Sequence, residues 1–226
     1  EGIQEVIARM AGYTYVANAA RSVTVAAVDA GEKPAVPSAI LKYHCTEIGR
    51  IVSNDAMDVH AGKGVCLGPN NYLGIGWGSV PIMITVEGAN ILTRSLIIFG
   101  QGAIRCHPYV LKEMEAARIE DRAERLQQFD DLLFRHIGYS IGNAVRSMVL
   151  GLSFARFAAV PSDRKTGKYY RKLTRYSAAL AFASDVAMLT LGGKLKHKEH
   201  VSARLGDVLS QLYICSAMLK RFEAQG

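Results

Sequence analysis

Apolar residues recur at every third or fourth position along most of the chain, and this spacing predicts a succession of amphipathic helices. The first stripe runs from Ile3 to Val28, and Gly31 is expected to stop it. Further helices are predicted over residues 41–57, 91–104, 110–135, 168–191 and 199–222. Alternation with a period of two is confined to residues 81–86. The predicted fold class is therefore all-α.

Two neighbouring segments differ in their polarity. Residues 110–135 alternate acidic and basic side chains, which is typical of an exposed helix with pairs four residues apart. Residues 137–160 are apolar and rich in small side chains, so we expect them to pack centrally. Pro161 to Gly167 is predicted to be a break rich in turns.

Glycine is concentrated in residues 61–78, which predicts a long loop able to bring its backbone close to a ligand. The segment has no Gly-Lys-Ser/Thr of a phosphate-binding P-loop. Gly74 to Gly78 also lacks the preceding strand of a dinucleotide-binding fingerprint, so neither nucleotide motif is supported.

The composition is that of a globular protein, with 226 residues of which 50% are hydrophobic and 21% are charged. No apolar run of membrane-spanning length is free of charge, so a transmembrane helix is not predicted. The chain starts at Glu1 inside a helical pattern, and we expect it to be the C-terminal part of a longer protein. We predict a cytoplasmic location, with peripheral contact at the inner membrane as an open alternative.

The formal net charge of +7 is unevenly distributed. Residues 160–226 contain 12 Lys and Arg against 5 Asp and Glu, whereas residues 1–159 contain 15 of each kind. Such a basic region can attract phosphate, an anionic membrane or an acidic protein. No nucleic-acid motif accompanies it, so nucleic acid is not a predicted partner.

The chain shows no motif for a metal or for a framework of disulfides. The four cysteines form no CxxC pair, and we expect reduced, mostly buried thiols. His197 and His200 have a spacing that could hold a metal, but the lysines around them would repel a cation. We predict no metal site.

Glu87 is the candidate catalytic residue, because an apolar run from Ile82 to Val86 leads to it and Gly88 follows. Apolar surroundings desolvate a carboxylate, which raises its pKa and makes it a stronger base. The alternative is that Glu87 only favours the positive N-terminal end of the next helix.

Val86-Glu87-Gly88-Ala89-Asn90 resembles the catalytic-glutamate segment of the acyl-coenzyme A dehydrogenases and oxidases. Upstream, Asp58 to Gly64 is similar to the Gln-Ile-x-Gly-Gly-x-Gly loop of that family, and two helices precede it. Residues 91–108 and the basic helices resemble the long bacterial fatty-acid-oxidation members, which have an extra C-terminal helical region. Ala89 stands where that family usually has threonine, and the usual Arg-Asp pair before the glutamate is replaced by residues 77–81.

The resemblance implies a helical bundle of the acyl-CoA dehydrogenase C-terminal domain over residues 1–107 and an additional helical region over 108–226. It implies an FAD-dependent enzyme of fatty-acid β-oxidation that converts acyl-CoA into trans-2-enoyl-CoA. Glu87 would remove the α-proton and hydride would pass to the flavin N5. Glu87 and Gly88 would contact the substrate. The implied FAD contacts are Gly62, Lys63, Gly64, Ala89 and Asn90, the first three to the FAD of a neighbouring subunit.

The resemblance also implies partners. Electrons would pass to an electron-transfer flavoprotein, although an oxidase that uses oxygen is a further alternative, and relatives form homo-oligomers. We expect the isolated 226-residue chain to be inactive. The competing interpretation is a non-catalytic helical module for assembly or for docking to an anionic membrane through its basic helices.

Overall fold

A computed structural model describes residues 1–86, 88–161 and 165–225, and the regular elements in these ranges are all helical. The first half of the chain contains α1 (Gly2–Asp29), α2 (Ala35–His60), α3 (Gly62–Val65), α4 (Gly74–Thr85) and α5 (Asn90–Leu92), followed by a π-helix (Thr93–Gln101). The second half contains α6 (Gly102–Cys106), α7 (Val110–Ala116), α8 (Arg122–Leu152), α9 (Gly167–Leu191), a 3₁₀ segment (Gly192–His197) and α10 (Glu199–Ala224). The all-α prediction is confirmed.

The chain forms two compact units. The first comprises Glu1–Arg94 with Tyr213–Gly226, and the second comprises Ser95–Leu212. The predicted domain division between residues 107 and 108 is a division of the sequence and stays a prediction.

In the first unit α1 ends at the glycine that the sequence predicted. The N–H of Gly31 donates to the carbonyl of Val28, and the N–H of Glu32 donates to the carbonyl of Ala27. This is the Schellman arrangement, which needs a left-handed residue after the helix, and Gly31 supplies it with φ +85°. The chain turns there and α2 packs on α1.

The glycine-rich segment is more helical than predicted. Residues 62–65 form α3, and Gly74, Gly76 and Gly78 lie within α4, so the predicted loop is wrong for those parts. The period-two alternation at residues 81–86 does not form a strand, since residues up to Thr85 continue α4. Packing of α4 on α2 supports a helix there in spite of the glycines and of Pro81.

The second unit corrects two further expectations. The predicted helix over 110–135 is broken between α7 and α8, where Asp121 caps α8 by accepting a hydrogen bond from the Glu124 N–H at 2.7 Å. Of residues 137–160, which were expected to pack centrally, residues 137–152 form the second half of α8. Six apolar side chains among residues 137–152 are 47–77% exposed: Ile137, Ile141, Val145, Met148, Val149 and Leu152. α8 packs on α7 and α9.

In the described part of the chain, one helix has the length and apolar composition of a membrane span, namely Gly167–His197, which includes α9. Gly74–Thr85 and Asn90–Cys106 reach that length only if the pair is counted as one span. The helix also carries Asp185, which is 8% exposed and hydrogen-bonded to His107 of the same unit. A partnered carboxylate is typical of a helix packed against protein, so length and composition are weak evidence for a span here.

Candidate functional site

The candidate site in the first unit is the turn between α4 and α5. Glu87 itself lies outside the described residues. On its N-terminal side Val86 is extended, with φ −78° and ψ 154°. On its C-terminal side Gly88 has φ +92°, a conformation that disfavours any residue with a Cβ, and α5 begins two residues later. The described backbone thus leaves one helix and enters the next around the predicted base.

Three side chains of α2 hold this turn from one side. The Lys42 ammonium donates to the Gly88 carbonyl at 2.6 Å, to Asn90 Oδ1 at 2.7 Å and to the Ile84 carbonyl at 3.3 Å. The Asn90 amide donates to Thr46 Oγ1 at 2.9 Å and to Glu47 Oε1 at 2.7 Å. Sequence reasoning missed these residues, because Lys42, Thr46 and Glu47 carry no motif of their own.

Asn90 is 3% exposed and its amide is engaged by α2. The side chain therefore has a role within the fold, and an FAD contact by Asn90 stays a prediction. Ala89 is exposed at the surface of the turn. Gly88 and Ala89 thus offer backbone and little side-chain bulk to a ligand.

The predicted glycine-loop residues Gly62, Lys63 and Gly64 form α3, directly after α2. A Cβ on Gly64 would lie 3.2 Å from Met57 Sδ and 3.4 Å from His60 Cβ, so close packing on α2 already explains that glycine. A Cβ on Gly62 would meet nothing within 4 Å. Packing therefore does not explain why residue 62 is a glycine. Gly62 is exposed, next to the exposed Lys63.

A shallow surface depression lies at α3, and its lining includes His60, Lys63, Asn70 and Asn71. Asn71 organises this corner by donating to the Gly64 carbonyl at 2.7 Å and accepting from the Gly74 N–H at 2.8 Å. His60 Nε2 lies 2.5 Å from the Tyr72 hydroxyl oxygen. This corner can contact one part of a ligand, and it does not enclose a flavin.

The two groups of predicted site residues contact α2 at different places. The turn at residues 88–90 is held by Lys42 and Thr46, whereas Gly64 packs on Met57. Thr46 and Met57 are separated by about 16 Å along α2, at a rise of about 1.5 Å per residue. The two groups therefore contact α2 about three turns apart, which is compatible with one elongated ligand or with two separate ligands.

Large apolar side chains flank the turn in the sequence, and they are exposed to solvent. Ile82, Met83 and Val86 precede Glu87, while Ile91 and Leu92 follow it. From the sequence, the apolar run before Glu87 is expected to desolvate the glutamate. The exposure shows that these side chains need an additional apolar cover before they can exclude water from the turn.

A cluster that sequence reasoning missed lies in the second unit, where possible ligand atoms of His107, His136 and Asp185 lie within 4.8 Å of one another. His107 Nε2 is 2.9 Å from Asp185 Oδ1, and His136 Nδ1 is 2.8 Å from Glu113 Oε1. These four residues come from four separate segments of the chain, so no local spacing could have revealed them.

The hydrogen bonds of His107 define its tautomer. Its Nδ1 accepts the backbone N–H groups of Tyr109 and Val110, each at 3.2 Å. Nε2 must then carry the proton that is donated to Asp185, and a protonated nitrogen cannot bind a metal. This geometry supports a structural hydrogen bond at His107. Without His107, only His136 and Asp185 of the three residues remain as ligands, and two ligands are too few for a protein zinc site.

Comparison with known families gives two matches that together cover nearly the whole chain. Residues 1–98 match the model of the acyl-CoA dehydrogenase C-terminal domain. Residues 104–226 match the model of the bacterial-type acyl-CoA dehydrogenase C-terminal region. The chain belongs to the acyl-CoA dehydrogenase family. No solved structure matches it in a structural search.

Proposed function

We propose that this chain is the part of an FAD-dependent acyl-CoA dehydrogenase of fatty-acid β-oxidation that provides the α-proton base, Glu87. The observation that carries the proposal is the order of the two family matches along the chain, with the Glu-Gly-Ala-Asn segment inside the first. The turn around Glu87 supports it, because residues on both sides are held by α2.

The proposed reaction forms the trans-2 double bond of an enoyl-CoA. The Glu87 carboxylate would take the α-proton of the acyl thioester, and FAD, when bound, would supply the acceptor for the hydride that leaves the β-carbon. A base for this step must be dry and close to the α-carbon. The exposed Ile82, Met83 and Val86 are suited to an acyl chain and to apolar cover from the rest of the enzyme.

The backbone of the turn would bind the thioester. An N–H aimed at the carbonyl oxygen stabilises the negative charge that develops there and so acidifies the α-proton. We assign that role to the N–H of Glu87, with Gly88 lining the approach. Gly88 lacks a side chain, so the thioester can approach the backbone closely.

FAD contacts are assigned in two groups. Ala89 and Asn90 would face the flavin of the same site, Asn90 through its backbone because its side chain is engaged by α2. Gly62, Lys63 and Gly64 would contact the FAD of a neighbouring subunit, with the exposed Lys63 cation suited to a phosphate. The separation of the two groups along α2 is compatible with contacts to two different cofactors. This assignment requires a homo-oligomer.

The test uses the complete enzyme with FAD bound. A saturated acyl-CoA added without oxygen should bleach the flavin absorbance at about 450 nm, because the flavin is the hydride acceptor. Glu87→Gln should keep its FAD and lose the bleaching. A flavin that ignores acyl-CoA in the unmodified enzyme would overturn the proposal. If the flavin is reduced, its reoxidation by an electron-transfer flavoprotein would identify a dehydrogenase, and its reoxidation by oxygen would identify an oxidase.

Docking to an anionic membrane is a second candidate function, and the exposed apolar side of α8 favours it. An apolar helix face with cations nearby is typical of proteins that lie on a lipid surface. Lys172 is exposed, and Arg171 and Arg175 are partly exposed on α9 of the same unit. Peripheral contact with the inner membrane would be compatible with a cytoplasmic enzyme.

The docking candidate is tested by flotation with vesicles that contain anionic lipid. Binding should weaken as salt rises, and charge reversal at Arg171, Lys172 and Arg175 should abolish it. Charge reversal at Glu1 and Glu5, both exposed at the start of the chain, is the control and should not weaken binding. Binding that is unchanged by salt and by charge reversal at Arg171, Lys172 and Arg175 would contradict this candidate.

A further inference from the structure

Lys42 holds the backbone on both sides of Glu87. Its ammonium group has three N–H donors, and three oxygen acceptors surround it, from Ile84, Gly88 and Asn90. Ile84 lies three residues before Glu87 and Gly88 lies one residue after it. Each donor is therefore used within one short segment.

The acceptors are ones that a cation stabilises strongly. The Ile84 carbonyl is in the last turn of α4, where helix carbonyls lack partners and the helix dipole is negative. The Gly88 carbonyl belongs to a residue with φ +92°, in a turn that is not part of a helix. Lys42 thus joins the end of α4 to the turn, and charge-assisted bonds of this kind are about twice as strong as neutral ones.

Asn90 extends this contact into α5. Its Oδ1 accepts from Lys42, and its Nδ2 donates to Thr46 and Glu47, so three side chains of α2 hold this one amide. Lys42 and Thr46 are at positions i and i+4 and share a face of α2, and Glu47 is the residue next to Thr46. The turn is held at its start by Ile84 and at its end by Asn90, with Lys42 common to both.

We propose that Lys42 is a positioning residue for the α-proton base: it orients the turn that carries Glu87, although it does not itself contact the substrate. This inference rests on the proposed function. Proton abstraction needs the base within hydrogen-bond reach of the α-carbon proton, so the backbone of the turn must be held in one conformation. Lys42 supplies that restraint from α2.

The experiment compares Lys42→Met, which keeps the length of the side chain, with Lys42→Arg, which keeps the charge. Lys33→Met, an exposed lysine before α2, is the matched control. In the complete enzyme, Lys42→Met should slow flavin reduction by acyl-CoA about 10- to 100-fold, the loss expected from a displacement of about 1 Å. Lys42→Arg should recover part of the rate, and Lys33→Met should match the unmodified enzyme.

Two further measurements separate positioning from a general loss of structure. The FAD content of Lys42→Met should stay close to that of the unmodified enzyme, and its affinity for a non-reducible acyl-CoA analogue should fall much less than its rate of flavin reduction. Hydrogen exchange of a peptide over residues 84–93 should become faster, while α1 should exchange as before. Exchange and reduction rates equal to those of the unmodified enzyme would overturn the inference.

The outcomes distinguish this inference from the proposed function. Normal flavin bleaching in both the unmodified enzyme and Lys42→Met would refute the role of Lys42 and leave the dehydrogenase proposal intact. Absence of bleaching in the unmodified enzyme would refute both, even if exchange over 84–93 showed that Lys42 holds the turn. If Lys42→Met does not fold, the same comparison is made with Lys42→Arg, which should reduce its flavin more slowly than Lys33→Met.

Discussion

Arg9 on α1 donates two hydrogen bonds to the Asp55 carboxylate on α2, from Nε at 2.9 Å and from Nη2 at 2.6 Å. Asp55 is 6% exposed, so the pair lies at the contact between the two helices that build the first unit. The hydrogen bonds and the positive charge of Arg9 lower the pKa of the Asp55 carboxyl, and Asp55 raises the pKa of the Arg9 guanidinium. The pair connects α1 to the helix that holds the turn of Glu87.

Asp55→Asn should remove a contribution to stability that depends on acidity. The pKa of Asp55 is below its ordinary 3.8 in the folded chain, so the unfolded chain binds the proton more readily. The contribution is complete above the unfolded pKa and is lost as the pH falls through the folded pKa. In urea unfolding, the difference in free energy of unfolding between the variant and the unmodified chain should be clear at neutral pH. The difference should be much smaller at a pH far below 3.8. An equal difference at both pH values would contradict this assignment.

Asp185→Ala should destabilise the second unit, because the buried Nε2–H of His107 would lose its acceptor. The expected loss is about 1–3 kcal/mol in the free energy of unfolding, the cost of leaving a buried donor unsatisfied. Asp131→Ala, an exposed acid paired with Arg135 on α8, is the control and should change stability by less than about 1 kcal/mol. Adding Zn²⁺ should not stabilise the unmodified chain. Strong stabilisation by Zn²⁺ would show that His107 can release its Nε2 proton to a metal.

Gly88→Ala and Gly76→Ala should have opposite effects on stability. Gly88 has φ +92°, so an added Cβ costs about 1–2 kcal/mol in backbone strain although it would come no closer than 3.6 Å to Thr93 Oγ1. Gly76 lies within α4 and a Cβ added there would meet nothing within 4 Å, so alanine should stabilise the helix by about 0.5–1 kcal/mol. Thermal unfolding of both variants measures the difference. Equal shifts would argue against the described backbone of the turn.

The four cysteines should differ in their reaction with a thiol reagent. Cys66 and Cys106 are exposed, which corrects the expectation of mostly buried thiols. Burial raises the pKa of Cys45 and of Cys215, so less of each is present as the reactive thiolate. Two thiols per chain should react quickly with a disulfide reagent at about pH 8 to 8.5, the ordinary range for thiol titration. All four should react after denaturation, and rapid reaction of four thiols in the folded chain would contradict the burial of Cys45 and Cys215.

Much of the helical architecture could be predicted from local pattern. The stripe that ends at Gly31 predicted α1 because a helix, its apolar face and its C-terminal cap are all properties of consecutive residues. The predicted limits of α9 and of α10 were close for the same reason. Gly74, Gly76 and Gly78 misled the prediction for α4, because packing on α2 outweighs the weak helix propensity of glycine.

The candidate base could also be predicted from the sequence, because the residues next to Glu87 and the resemblance of the same segment to a known family both point to it. What holds that segment depended on tertiary structure. Lys42 is 46 residues from Gly88 along the chain, and its ammonium reaches the Gly88 carbonyl only because α2 packs beside the turn. His107 and Asp185, 78 residues apart, meet in the same way. Local sequence therefore determined the helices and the candidate base, while contacts between distant segments decided which polar groups are paired and which apolar faces stay exposed.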